Sequence, residues 1–116
     1  MGDRREVFDP AAFERQTGGD AALRTEIIGM FLEDCPMRVD EIRTAIGRGD
    51  APGLMSSAHA LKGSAAYLSA SIVRGLAANL ERLGRDQRLS DAPAALEQLS
   101  AAVAELLAEL RNIHGH

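Results

Sequence analysis

The sequence has few of the residues that build β-sheets and disulfide frameworks. It contains no Trp, one Tyr, three Phe and a single cysteine, Cys35, and its apolar residues are mostly Ala and Leu. Alanine and leucine favour helices, whereas β-branched and aromatic residues favour strands. One cysteine forms no intramolecular disulfide and provides no cysteine cluster for structural zinc. We therefore expect an all-α protein that is compatible with a reducing compartment.

Two further absences limit the location and the partners of the chain. No apolar run approaches the roughly 18 residues of a membrane span, and the first residues lack the apolar core of a signal peptide. The formal net charge is -4 at pH 7, whereas a nucleic-acid-binding domain must neutralise several phosphates. We therefore predict a cytoplasmic protein that binds neither a membrane nor a nucleic acid.

Helix caps, and apolar residues that repeat every three or four positions, predict five helices. Asp9 and Pro10 are a capping residue and a first-turn proline, and they begin a short helix. Pro36 interrupts the apolar stripe of the second helix, but the stripe resumes in phase, which predicts a kinked helix and not two domains. The predicted helices run from Pro10 to about Thr17, from Asp20 to Gly47, from Asp50 to about Leu68, from Ser69 or Ser71 to Gly84, and from Ser90 or Asp91 to about Asn112.

Four substantial helices with short connections, and no alternating strand pattern, are typical of an antiparallel four-helix bundle. The short additional N-terminal helix would lie across it. A chain of 116 residues fits one domain, so we predict a single domain over 1–116 with an ordered core at about 8–112. One complete bundle needs no second copy, and we expect a monomer.

The most informative stretch runs from Met55 to Leu68 and has His59 near its middle. At 100° per residue, the apolar positions of this helix fall within roughly 40° of one direction, whereas His59 lies about 140° away. Lys62 and Gly63 follow it by three and four residues, the spacings that bring side chains together on a helix. His59 is therefore predicted to be exposed beside an ammonium group and a residue with no side chain.

Each of these residues also has an ordinary interpretation. An exposed histidine is most often only a surface residue, which is the interpretation for His114 and His116. Gly63 could pack against another helix, although its predicted direction, about 180° from the apolar stripe, disfavours this. Lys62 could be a chance surface residue, but it is the only lysine among 13 basic residues, and lysine supplies a compact, flexible charge that arginine does not.

A longer pattern around His59 resembles the signature of histidine-containing phosphotransfer (HPt) domains of multistep phosphorelays. The residues that carry the resemblance are His59 to Ala65, Leu68, Ala70, Leu76, Leu80 and Glu81, with Phe31 to Pro36 and Gly49-Asp50 before them. The sequence departs from the family at Ser69, where glycine is usual, and at Ala65, where a second serine is common. The resemblance implies a carrier that accepts a phosphoryl group on His59 from a receiver-domain aspartate and passes it to another receiver domain.

The resemblance also implies roles for individual residues. His59 would be phosphorylated, Lys62 would lie near the phosphoryl oxygens, and Gly63 would leave room for the partner. Glu81 matches the position that accepts a hydrogen bond from the unreactive ring nitrogen, and its ordinary alternative is a surface glutamate. The residues expected to contact the partner are small or apolar neighbours of the histidine: Gly63, Met55, Ser64, Ala66 and Tyr67. Met55 could equally pack at the boundary of the core, as methionines on helices commonly do.

The sequence lacks the parts that ATP chemistry requires. It has no Gly-x-x-x-x-Gly-Lys-Ser/Thr loop to bind phosphates and no acidic cluster that would clearly hold Mg²⁺. We therefore expect no metal site, no cofactor and no ATP-dependent kinase activity. The resemblance implies that Mg²⁺ and the phosphorylated aspartate belong to the partner, a response-regulator receiver domain or a hybrid histidine kinase.

A helical bundle can also have functions other than phosphotransfer. A metal-binding bundle needs Glu-x-x-His pairs, and the sequence contains none. A histidine-kinase dimerisation domain would need a dimer and an attached ATP-binding domain. The main alternative is a non-catalytic adaptor bundle with a degenerate motif, which the sequence leaves open.

Overall fold

The computed structural model of the protein describes residues 4–114, and helices account for most of them. Residues 1–3 and 115–116, and with them the surface interpretation of His116, lie outside the described part. The helices are α1 (Arg4–Val7), α2 (Pro10–Gln16), α3 (Ala21–Arg48), α4 (Ala51–Leu68), α5 (Ser71–Arg85) and α6 (Ala92–His114), with a 3₁₀ turn at Leu89–Asp91. No strand occurs within residues 4–114, which confirms the all-α prediction.

The four long helices form a closed bundle. Helix α3 packs against α4 and α6, and α5 packs against the same two helices from the other side. The short helix α2 contacts α3 and α4. Its Phe13 and the preceding Phe8 are both buried, with their rings in an edge-to-face contact. No helix within residues 4–114 combines the length and the apolar character that a membrane span requires.

Three aspartates begin helices as predicted. Each lies just before its helix, and its side chain accepts a hydrogen bond from a backbone N–H of the first turn, which would otherwise lack a partner. The bonds are Ala12 N to Asp9 Oδ1 at 3.1 Å, Leu23 N to Asp20 Oδ1 at 3.0 Å, and Gly53 N to Asp50 Oδ1 at 2.9 Å. Helix α3 continues through Pro36 as one element, which agrees with the prediction of a single interrupted helix.

The start of α5 differs from the prediction that Ser69 or Ser71 caps it. The capping position is Ala70, and no side chain caps this helix. Ser69 instead ends α4 in the left-handed conformation, with φ 66° and ψ 41°, a position that glycine usually fills. Two further differences from the prediction lie near the ends of the chain. Helix α1 was not predicted, and α6 continues to His114.

We expect Ser69→Gly to raise the free energy of unfolding by about 1 kcal/mol, because the left-handed conformation costs a residue with a Cβ atom about that much. The carbonyl of Ser69 accepts a hydrogen bond from the backbone N–H of Asp9 at 3.2 Å, and glycine would preserve this bond. Urea denaturation measures the change. The control, Ser71→Gly, lies in the right-handed first turn of α5 and is expected to lose stability instead. Equal shifts in both variants would contradict the argument.

The core positions the two helices that carry the site. The buried face of α4 is the predicted one, since its residues are at most 1% exposed: Leu54, Ala58, Leu61, Ala65 and Leu68. Helix α5 lies close to α4 at Gly84, where a Cβ atom would lie 2.8 Å from the backbone nitrogen of Met55 and 3.0 Å from the carbonyl oxygen of Ala51. Because Gly84 has no side chain, the two backbones approach closely one turn from Glu81.

Candidate functional site

His59 projects from α4 on the side away from the core. Its side chain is 67% exposed, whereas Ala58 before it and Leu61 after it are fully or almost fully buried. This is the orientation that the helical periodicity predicts. One edge of the imidazole is therefore open to a partner molecule.

Glu81 reaches His59 from the neighbouring helix α5. Its side chain is 9% exposed, and its carboxylate contacts two side chains of α4. Oε2 lies 2.7 Å from Nδ1 of His59, and Oε1 lies 2.6 Å from Nζ of Lys62. Glu81 is therefore a buried residue shared between His59 and Lys62, and not the exposed glutamate of the ordinary interpretation.

The carboxylate of Glu81 is held in its ionised form. The hydrogen bond from Lys62 lowers the pKa of Glu81 most strongly, burial opposes this change, and the hydrogen bond with His59 lowers the pKa further. Arg85, one turn along α5, places a guanidinium nitrogen 3.7 Å from Oε2. At neutral pH the site thus contains a carboxylate anion, a lysine cation and an arginine cation around one imidazole.

The contact with Glu81 selects a tautomer of His59. An ionised carboxylate only accepts hydrogen bonds, so in the neutral ring Nδ1 carries the proton and donates it to Oε2. The other nitrogen, Nε2, then keeps its lone pair. The arrangement presents one nucleophilic nitrogen on an exposed ring of fixed orientation.

The residues predicted to contact a partner point in different directions around the axis of α4. By helical geometry, Ala66 projects within roughly 20° of His59 and Gly63 within about 40°, and both are exposed. Gly63 has open space where a Cβ atom would be. Met55 is only half-buried and its backbone packs on Gly84. It is therefore partly exposed and also packs at the boundary of the core.

Ser64 and Tyr67 line a groove between α3 and α4. The groove has a volume of about 240 Å³, and its walls include Met30 of α3. Tyr67 is 40% exposed and Met30 is 56% exposed. The charged residues Asp34 and Arg38 also line the groove, so it offers both apolar and charged side chains.

Arg85, Gly84 and Met30 were not among the predicted site residues. The fourth helix was predicted to end at Gly84, whereas Arg85 is the last residue of α5. Its position four residues after Glu81, the spacing of side-chain pairs on a helix, was the available signal. Gly84 was taken as the end of the helix, and no local signal identifies it as a contact with α4. The exposure of Met30 depends on how α3 and α4 pack.

Other chemistry-bearing groups of the described chain offer no second centre. Within residues 4–114 no three His, Cys, Asp or Glu side chains are grouped so that they could hold a metal ion. Cys35 is 2% exposed, and burial raises the pKa of its thiol to about 12. Its thiolate, which is the reactive form, is therefore scarce at neutral pH.

Comparisons with known proteins agree with this geometry. The sequence matches the family model described as Hpt domain over residues 26–112. The fold is similar to that of histidine-containing phosphotransfer protein B (HptB) from Pseudomonas aeruginosa PAO1, with a TM-score of 0.88, 23% identity, and 94% of this chain and 95% of that chain covered. It is also similar to the HPT domain from the Hpt sensor hybrid histidine kinase from Shewanella, with a TM-score of 0.83, 20% identity and 94% of each chain covered. A search of curated proteins found no match.

Proposed function

The chain belongs to the Hpt domain family, whose members have a phosphotransfer role in phosphorelays and work with receiver domains and hybrid kinases, and from this premise we propose that His59 is the phosphorylated residue. In this proposal His59 accepts the group from the aspartate of one receiver domain and passes it to the aspartate of another. The protein acts as a monomer in the cytoplasm. It needs no cofactor, since the Mg²⁺ belongs to the receiver domain.

One observation carries the proposal: an exposed imidazole is fixed by a buried carboxylate. The 2.7 Å contact between Nδ1 of His59 and Oε2 of Glu81 leaves Nε2 as the nitrogen with a free lone pair. In the first step this lone pair forms a bond to the phosphorus of the aspartyl phosphate. The bond between phosphorus and the aspartate oxygen breaks, and its electron pair returns to the aspartate carboxylate. The proton on Nδ1 stays where it is.

Lys62 supplies positive charge next to the group that is transferred. Phosphoryl transfer depends mainly on positioning and on stabilisation of negative charge. Lys62 is 32% exposed and has a flexible stem, so its ammonium group can reach a phosphoryl group on Nε2 while staying near Glu81. Arg85 stays farther away and acts chiefly on the carboxylate.

The proposed docking surface comprises the exposed face of α4 and the groove beside it. Gly63 and Ala66 leave the approach to His59 unobstructed, and Tyr67 and Met30 provide apolar area in the groove, beside the hydroxyl group of Ser64. The occupant is the receiver domain itself, since its aspartate must come within bonding distance of Nε2. Met55 would contact it from the α5 side.

We expect Gly63→Gln to slow transfer from a phosphorylated receiver domain by about tenfold or more while leaving the fold intact. The space around Gly63 is empty within the chain, and glutamine favours a helix over glycine by roughly 0.5 kcal/mol, so stability should not fall. A bulky side chain there would obstruct the partner one turn from His59. Rapid-quench transfer kinetics and thermal unfolding measure the two effects.

The matched control for this variant is Gly75→Gln, because Gly75 is also an exposed helical glycine with open space around it but lies on α5, on a different face. It should transfer as the natural protein does. If both variants slow transfer equally, or if neither does, the proposed docking surface is wrong.

The whole proposal is tested by incubating the protein with a receiver domain phosphorylated on its aspartate in the presence of Mg²⁺ and following the label. Transfer to this chain, and then to a second receiver domain, supports the proposal. A chain that binds receiver domains but accepts no label would instead be the non-catalytic adaptor.

A further inference from the structure

We infer that Glu81 keeps a proton on Nδ1 of His59 after phosphorylation, and so holds the phosphoryl group in a form that is readily passed on. The inference rests on the proposed phosphorylation of His59 at Nε2. It goes beyond the orienting contact of the resting state, because it concerns the charge of the ring in the phosphorylated state.

The proton on Nδ1 decides how easily the phosphoryl group leaves. In the onward step the bond between Nε2 and phosphorus breaks, its electron pair returns to Nε2, and phosphorus bonds to the carboxylate oxygen of the acceptor aspartate. If Nδ1 carries a proton, the group that leaves is a neutral imidazole. If Nδ1 has lost its proton, the leaving group is an imidazolate anion, which is far more basic and leaves more slowly.

The surroundings of Glu81 favour the protonated form. Its side chain is 9% exposed, and Oε2 lies 2.7 Å from Nδ1, so loss of the proton would leave two lone pairs facing each other at hydrogen-bond distance. A carboxylate has no hydrogen to offer in exchange. Because the Glu81 side chain is buried, this repulsion is screened less than it would be between two exposed groups.

The charged groups that face Glu81 keep it available as an anion. Lys62 contacts Oε1 from α4 at 2.6 Å, and Arg85 approaches Oε2 along α5 at 3.7 Å. Without them, burial would favour the neutral acid, which could not hold a proton on the ring as strongly. These two cations therefore keep the carboxylate ionised, and the ionised carboxylate keeps the proton on Nδ1.

Retention of this proton has a consequence for the relay. His59 enters the first step with a proton on Nδ1, keeps it while it carries the phosphoryl group, and leaves the second step with the same proton. Neither step then requires proton exchange with solvent. The rate of onward transfer is expected to stay nearly constant as the pH rises through the neutral range.

The test compares the phosphorylated protein with its Glu81→Gln variant. Both are phosphorylated with phosphoramidate, freed of reagent, and titrated by ³¹P NMR, in which the phosphohistidine signal follows protonation of the ring. Glutamine preserves the size of the side chain and an acceptor oxygen but removes the charge. We expect the midpoint of ring deprotonation to fall by about one pH unit or more in the variant. A fall of one unit corresponds to about a tenfold increase in the acid dissociation constant of the ring. The phosphoryl lifetime at neutral pH should lengthen.

Two further variants separate this role from a structural one. Glu97→Gln removes an exposed carboxylate of α6 and should leave the midpoint unchanged. Lys62→Gln disturbs the same contacts as Glu81→Gln but keeps the carboxylate, with Arg85 still beside it, so its midpoint should fall by less than that of Glu81→Gln. A fall of equal size in the Lys62 and Glu81 variants would show that only the disturbed packing matters, and would overturn the inference.

The outcomes also distinguish this inference from the proposed function. Normal phosphorylation of His59 with the same midpoint in the natural protein and in Glu81→Gln refutes the inference alone. A phosphohistidine signal that never forms at His59 in the natural protein refutes the proposed function, and the inference falls with it.

Discussion

Replacement of His59 by glutamine is expected to reduce phosphoryl acceptance from a receiver domain to background. The variant has no ring nitrogen to form the bond to phosphorus, and no other histidine lies near Lys62 and Glu81 within the described chain. The fold should persist, because the His59 side chain is 67% exposed and glutamine can still donate a hydrogen bond to Glu81. We expect the free energy of unfolding to change by less than about 0.5 kcal/mol, as for other surface substitutions.

The measurement is transfer of radioactive phosphate from a labelled receiver domain, with thermal unfolding run on the same samples. His114→Gln is the matched control, since His114 is also an exposed helical histidine but lies on α6. It should accept label at the natural rate. Label that persists in the His59 variant, or that disappears in the His114 variant, would show that the phosphorylated residue has been assigned wrongly.

Gly84→Ala is expected to destabilise the protein by about 2 kcal/mol, the usual cost of forcing extra atoms into a packed interior. The new Cβ atom would lie 2.8 Å from the backbone nitrogen of Met55 and 3.1 Å from its Cα atom. Backbone atoms in the middle of a helix cannot move aside alone, so α4 and α5 must separate. The separation would also lengthen the contact between His59 and Glu81, and phosphoryl acceptance should fall.

Gly75→Ala provides the control on the same helix. No atom lies within 4 Å of the position that its Cβ atom would take, and alanine favours a helix over glycine by up to about 1 kcal/mol. This variant should therefore be more stable than the natural protein, whereas Gly84→Ala should be less stable. Urea denaturation curves with the two midpoints displaced in the same direction would disprove the close approach at Gly84.

The bundle could be predicted from the sequence because the patterns that indicate its helices are local. Aspartates before helix starts, and apolar residues at helical spacing, depend on neighbours within a few positions of the chain. The same local geometry predicted that His59 points away from the core. The start of α5 was predicted wrongly because two serines suggested a cap, whereas Ser69 completes the turn from α4 in the left-handed conformation.

The contacts of Glu81 could not be derived from local patterns. Glu81 is 22 residues from His59 along the chain, so their contact depends on how two helices cross. That crossing depends on Gly84, whose role becomes visible only when the backbone of α4 is in place. The family resemblance suggested Glu81 as a partner of the ring, but not its burial or its ion pairs with Lys62 and Arg85.

The burial of Cys35 protects its thiol from oxidation. Cys35 is 2% exposed and burial raises its pKa to about 12, so peroxide and disulfide reagents meet almost no thiolate at neutral pH. No second cysteine exists in the sequence for it to pair with. An oxidative challenge is therefore expected to leave this thiol unmodified.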